Sequence, residues 1–64
     1  MNTIKGKLKY QSQFDQWWLH WGAFGEKSQM VDKSVDTSKF VDGDTIEFQI
    51  SISATEERFR AFPI

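Results

Sequence analysis

A chain of 64 residues has room for one small domain, and the absence of cysteine excludes disulfides and thiolate metal sites. The formal net charge of −1 excludes the strongly basic composition of many phosphate-binding proteins. Aromatic residues make up 16% of the chain, more than a core of this size needs, so some are expected to form a binding surface.

Charge and hydropathy predict where the protein works. The chain contains no apolar run of about 18 residues, and its first residues lack the apolar segment of a signal peptide. We therefore expect one domain over residues 1–64 in the cytoplasm, without a membrane contact, as a monomer or weak dimer.

The first predicted element is a strand over Ile4–Tyr10, where apolar and basic residues alternate. One face carries Ile4, Gly6, Leu8 and Tyr10. The other face carries a row of three lysines, Lys5, Lys7 and Lys9.

The aromatic run from Phe14 to Phe24 contains all three tryptophans and the single histidine, and it allows two interpretations. A helix at about residues 13–21 would bring Phe14, Trp17, Trp18 and Trp21 onto one side, which gives an α+β alternative. A strand would turn Trp17 and Trp18 to opposite faces. Aromatic residues favour strands, so we prefer the strand.

Three further strands are predicted in the remaining chain. Met30-Val31 is a short one, residues 45–52 alternate clearly after the turn signal Asp42-Gly43, and residues 58–62 form a closing strand. Five short strands predict an all-β fold, a small five-stranded barrel of the oligonucleotide-binding (OB) type.

Four segments resemble cold-shock domains, which are compact members of the OB barrels. Residues 6–10 resemble the opening Gly-x-Val-Lys-Trp strand, and residues 42–50 resemble the Glu-Gly-Gln-x-Val-x-Phe-x-Val segment. Trp17-Trp18-Leu19 stands at the Phe-x-Phe stacking motif. Residues 31–35 stand at the second motif, where Asp32 and Lys33 replace histidine and phenylalanine, and we expect Asp32 to repel phosphate there.

The resemblance implies binding of single-stranded RNA or DNA, with bases stacked on aromatic side chains above a basic groove. It implies Tyr10 and Trp17 as stacking platforms, with Leu19 as a reduced third. Lys5, Lys7 and Lys9 would contact phosphates. Replacements for the lost aromatics would come from Trp18, His20 or Trp21. The competing interpretation is that the tryptophans fill the core.

Catalytic and metal chemistry find little support in the sequence. One histidine without cysteine is a poor zinc site, and adjacent Glu56 and Glu57 diverge on a strand. We therefore expect no enzyme, no catalytic residues, no metal and no cofactor. Arg58 and Arg60 would either extend the basic groove or pair with Glu47.

Two other ligand classes remain open. Exposed tryptophans on a nearly neutral surface also suit a protein interface, such as that of a small phage or plasmid protein which binds a host factor. Aromatic faces stack on sugars as well, so carbohydrate is a third possibility, and a varied binding segment on a small scaffold would have a similar composition.

Overall fold

The fold is a single antiparallel sheet without a helix in residues 3–64, which are the residues that a computed structural model describes. Its strands are β1 (Ile4–Gln11), β2 (Gln16–Trp21), β3 (Lys27–Met30), β4 (Thr45–Ile52) and β5 (Phe59–Pro63). The all-β prediction is confirmed. The α+β alternative is wrong, since residues 16–21 form a strand and residues 12–15 form its preceding turn.

The five strands lie in the order β3-β2-β1-β4-β5, and each neighbouring pair is antiparallel. The sheet curls into a half-barrel. Its two outer strands approach each other at one point, a parallel bridge between Val31, directly after β3, and Ala61 in β5. We call this junction the seam. The arrangement is compatible with an OB-like fold.

The pairing of β1 with β2 explains why the aromatic run is a strand. Leu8 lies directly opposite Leu19, and both side chains are almost completely buried. A helix over the same residues would withdraw Leu19 from this contact and leave one side of β1 unpaired. Long-range pairing therefore overrides the helical spacing of the tryptophans.

The core lies on the concave side of the sheet. Its buried members come from β1, β2, β4, β5 and the seam: Leu8, Leu19, Val31, Phe48 and Ala61. Gly6 lets β1 lie close to β2 and to the Phe48 ring, because a Cβ atom at this position would lie 2.6 Å from Phe48 Cε1 and 2.9 Å from the His20 carbonyl oxygen. No larger residue fits there without a shift of its neighbours.

The turn at residues 41–44, directly before β4, continues the pairing of β1 past the first residue of that strand. Gly43 has a φ of +94°, which favours glycine, and its N–H donates to the Leu8 carbonyl at 2.8 Å. The Asp42 carboxylate accepts the Tyr10 N–H at 2.8 Å. The turn predicted from Asp42-Gly43 is confirmed, and it holds the far end of β1 in place.

Candidate functional site

The convex side of β1 and β2 collects the lysine row and one tryptophan. The register sets Lys7 opposite His20 and Lys9 opposite Trp18. Directly opposed residues share a face of the sheet, and the alternating partners Leu8 and Leu19 are in the core. Lys7, Lys9, Trp18 and His20 therefore lie together on the outer face.

Lys5 continues this row toward β4, where it lies opposite Glu47. That carboxylate reduces the positive potential at this end of the row. Lys7 is opposite the uncharged Thr45, and neither Lys7 nor Lys9 forms an ion pair within residues 3–64. The cationic character of the face is thus strongest beside Trp18 and His20.

Trp18 lies between two shallow depressions on this outer face. One has a volume of about 310 Å³ and is bordered by Lys9, Tyr10, Gln11 and His20. The other, of about 550 Å³, extends toward the seam past Met30. The indole is half-buried, and its Nε1–H is buried without a hydrogen-bond partner among the described residues. Trp18 is the one tryptophan that lies on the same face of the sheet as the lysine row.

Trp17 and Trp21 point to the concave side instead. The Trp17 ring lies 5.3 Å from the Phe40 ring in an edge-on arrangement, and the Trp21 ring lies 5.3 Å from Phe48. Leu19, between them on the same face, has no exposed surface. The expectation that Leu19 could act as a stacking platform is therefore wrong, because it is a central core residue.

Tyr10 is at the open end of the concave side and remains 40% exposed. Its ring is 5.0 Å from the Trp17 ring, and its hydroxyl donates to Asp15 Oδ1 at 2.5 Å. That hydrogen bond to Asp15 raises the pKa of Tyr10. The eight predicted site residues are thus divided between two faces, with Lys5, Lys7, Lys9, Trp18 and His20 outside and Tyr10, Trp17 and Trp21 inside.

The seam adds basic residues beyond the lysine row; the sequence suggested Arg58 and Arg60 as an extension of a basic groove, but it gave no sign that Lys33 joins them. Lys33, Arg58 and Arg60 border the depression that extends from Trp18. Arg60 pairs with Glu56 at 3.2 Å, so its predicted pairing with Glu47 is wrong. The i, i+4 spacing of Glu56 and Arg60 could have predicted their ion pair from the sequence. The position of Lys33 beside these residues could not have been predicted, because it depends on the Val31–Ala61 bridge.

Asp32 is a buried structural carboxylate, which corrects its expected position facing phosphate. Only 2% of the residue is exposed, and its Oδ2 accepts hydrogen bonds from the hydroxyl and the N–H of Ser34. The Ser34 hydroxyl, followed by the Ser53 hydroxyl, lowers the pKa of Asp32 from its ordinary 3.8 to about 2. This aspartate therefore stabilises the turn after β3.

The lowered pKa predicts that Asp32 contributes to the pH dependence of the unfolding free energy in acid. A folded-state pKa below the unfolded value stabilises the fold above about pH 4, and this stabilisation is lost as the pH falls toward about 2. Urea unfolding of Asp32→Asn should therefore show a flatter decline of unfolding free energy across this range than the wild type. Asp44→Asn, which removes an exposed carboxylate, is the control. Equal slopes for wild type and Asp32→Asn would contradict the assignment.

Residues 3–64 contain no group of three or more histidine, aspartate or glutamate side chains that could hold a metal ion. Within the same range, no helix has the length and hydropathy required to cross a bilayer.

Comparison with protein-family models, curated proteins and solved structures finds no match to this chain. The geometry of the outer face is therefore the basis for a functional assignment.

Proposed function

We propose that the protein binds single-stranded nucleic acid on the outer face of β1 and β2, in the manner of a cold-shock-like barrel. The observation that carries the proposal is the register of Lys7 with His20 and of Lys9 with Trp18. An aromatic surface beside a row of cations suits a strand whose bases stack while its phosphates contact lysine. Stacking does not depend on base identity, so binding should be tolerant of sequence.

The position of Trp18 makes it the main stacking residue of this proposal. Trp21 packs against Phe48 on the opposite side, and Trp17 packs against Phe40 and borders a different depression, whereas Trp18 borders both depressions of the outer face. Of the platforms implied by the family motif, Trp17 lies on the concave side, whereas Tyr10 borders the depression beside Trp18 and has its ring 5.0 Å from that of Trp17. The proposed ligand path therefore differs from that motif by one residue in β2.

Trp18→Ala should weaken binding of fluorescein-labelled hexathymidylate roughly fivefold to a hundredfold, because one base stack contributes about 1–3 kcal/mol. Fluorescence anisotropy at low ionic strength measures the affinity. Trp21→Phe, which keeps an aromatic ring on the concave side, should bind like the wild type. An unchanged affinity of Trp18→Ala, or no binding by the wild type, would refute the proposal.

Salt dependence separates phosphate contacts from stacking in the same assay. Each phosphate contact on a single strand contributes about −0.7 to the slope of log affinity against log salt. Three lysine contacts therefore correspond to a slope of about −2. Lys39 is an exposed lysine away from the row, so Lys39→Gln is the charge-matched control for Lys7→Gln and Lys9→Gln.

A protein partner is the second candidate, and exposed apolar residues favour it. Ile52 and Phe59 lie opposite each other at the end of the β4–β5 pair and are 58% and 57% exposed. Phe24, in the turn between β2 and β3, is 94% exposed. Recovery of one stoichiometric protein partner, together with no oligonucleotide binding, would select this candidate over the first.

A further inference from the structure

The seam gathers cations that are far apart in the chain. The Val31–Ala61 bridge, with the Asp32 N–H donating to the Ala61 carbonyl at 3.1 Å, brings the residue after Asp32 beside β5. Lys33 thereby borders the same depression as Arg58 and Arg60. Lys33 and Arg58 are exposed and form no ion pair within the described range.

Glu56 is the single acidic side chain that borders this depression. Its carboxylate accepts hydrogen bonds from Arg60 Nε and Nη2, each at 3.2 Å, and from the Lys33 N–H at 3.4 Å. Arg60 Nη1 donates to the Phe59 carbonyl at 3.0 Å. The guanidinium of Arg60 is therefore largely engaged, and Glu56 neutralises much of its charge.

Trp18 connects the seam to the lysine row, because its indole borders both depressions. A nucleic-acid strand can stack a base on Trp18 and contact Lys9 on one side of that residue. On the other side, the same nucleic-acid strand meets the seam cations. Neighbouring strands of a sheet are about 4.8 Å apart, so the path from β1 to β3 spans about 10 Å before it reaches the seam. Such a path suits a polymer of several nucleotides.

We propose that Lys33, Arg58 and Arg60 bind a second segment of the same single-stranded polyanion, and that Glu56 limits the affinity by competing with a phosphate for Arg60. This inference rests on the proposed function and extends its site across the seam. The ligand is an extended strand with phosphates on both sides of Trp18. A mononucleotide or a free phosphate would occupy only one side of Trp18 and would therefore bind with little affinity.

Glu56→Gln tests the competition directly. It keeps an oxygen acceptor for the Lys33 N–H but removes the negative charge beside Arg60. We expect this variant to bind hexathymidylate about threefold or more tightly, because the Glu56 carboxylate no longer competes with a phosphate for Arg60. Glu57→Gln removes the same charge one residue away, outside the depression, and should change the affinity less than Glu56→Gln does.

Arg58→Gln and oligonucleotide length test the second segment independently of Glu56. Arg58 is exposed and accepts substitution without loss of a described contact, so folding should persist and is checked by circular dichroism. Arg58→Gln should weaken hexathymidylate and leave trithymidylate unchanged. In the wild type, hexathymidylate should bind more tightly than trithymidylate beyond the statistical gain from additional registers.

The outcomes distinguish this inference from the function on which it rests. No oligonucleotide binding by the wild type would remove both. Binding that depends on Trp18 but is unchanged in Glu56→Gln and Arg58→Gln would overturn only the seam segment. Tighter binding by Glu56→Gln and Glu57→Gln alike would reduce the effect to overall charge and would also overturn it.

Discussion

Phe48→Ala is expected to lower the unfolding free energy by about 3–5 kcal/mol. The residue has no exposed surface, its ring packs edge-on against Trp21, and it lies between partners in β1 and β5. A domain of 64 residues has a total stability of about 3–10 kcal/mol, so the variant should lose between about a third and all of its stability. Urea titration followed by circular dichroism measures the loss.

Ile52→Ala is the matched control for this prediction, because it removes an apolar side chain from the same strand. Ile52 is 58% exposed, and its truncation should cost less than about 1 kcal/mol. Similar losses for both variants would contradict the assignment of Phe48 to the buried core and of Ile52 to the exposed end of the strand.

Gly6→Val is expected to destabilise the fold by about 1–3 kcal/mol or more through overpacking. The new Cβ would lie 2.6 Å from Phe48 Cε1 and 2.9 Å from the backbone oxygen of His20. Backbone cannot yield as readily as a flexible side chain, so strand β2 would have to move. Thermal unfolding of the variant, which leaves the outer face unchanged chemically, measures this cost.

A double-mutant cycle identifies the Phe48 ring as one source of that cost. Phe48→Leu alone should destabilise, but combined with Gly6→Val it should cost less than the sum, because the smaller side chain relieves the clash. Strict additivity would show that the clash with the His20 carbonyl accounts for the whole effect.

The strands that alternate cleanly were predictable from the sequence alone. Residues 4–10 and 45–52 repeat with period two, and both are strands in the structure. The turn at Asp42-Gly43 carries its own local signal, since glycine accommodates the positive φ found there. These features depend on neighbours in the chain, which is why the pattern alone could predict them.

The face of each tryptophan depends on pairing that the local pattern does not contain. Alternation predicts that Trp17 and Trp18 diverge, and they do. Only the register of Leu8 with Leu19 decides that Trp17 turns inward and Trp18 outward. The family motif suggested the opposite, because it assigned stacking to the positions of Trp17 and Leu19.

The seam was beyond prediction for a similar reason. Lys33 and Arg60 are separated by more than twenty residues, and a single bridge brings their segments together. No periodicity or turn signal marks that contact. The Glu56–Arg60 pair is local, but its relevance to Trp18 follows only from the curvature of the sheet.

The bridge at the seam, the one isolated bridge within residues 3–64, would also couple the proposed ligand's occupancy to the integrity of the half-barrel. Strands β3 and β5 are joined at Val31 and Ala61 and are otherwise edges, so this junction is the natural place for the sheet to open transiently. A nucleic-acid strand bound on both sides of the junction would hold the two sheet edges together. Opening would then require release of the ligand, and amide hydrogens near the bridge would exchange more slowly as the ligand concentration rises.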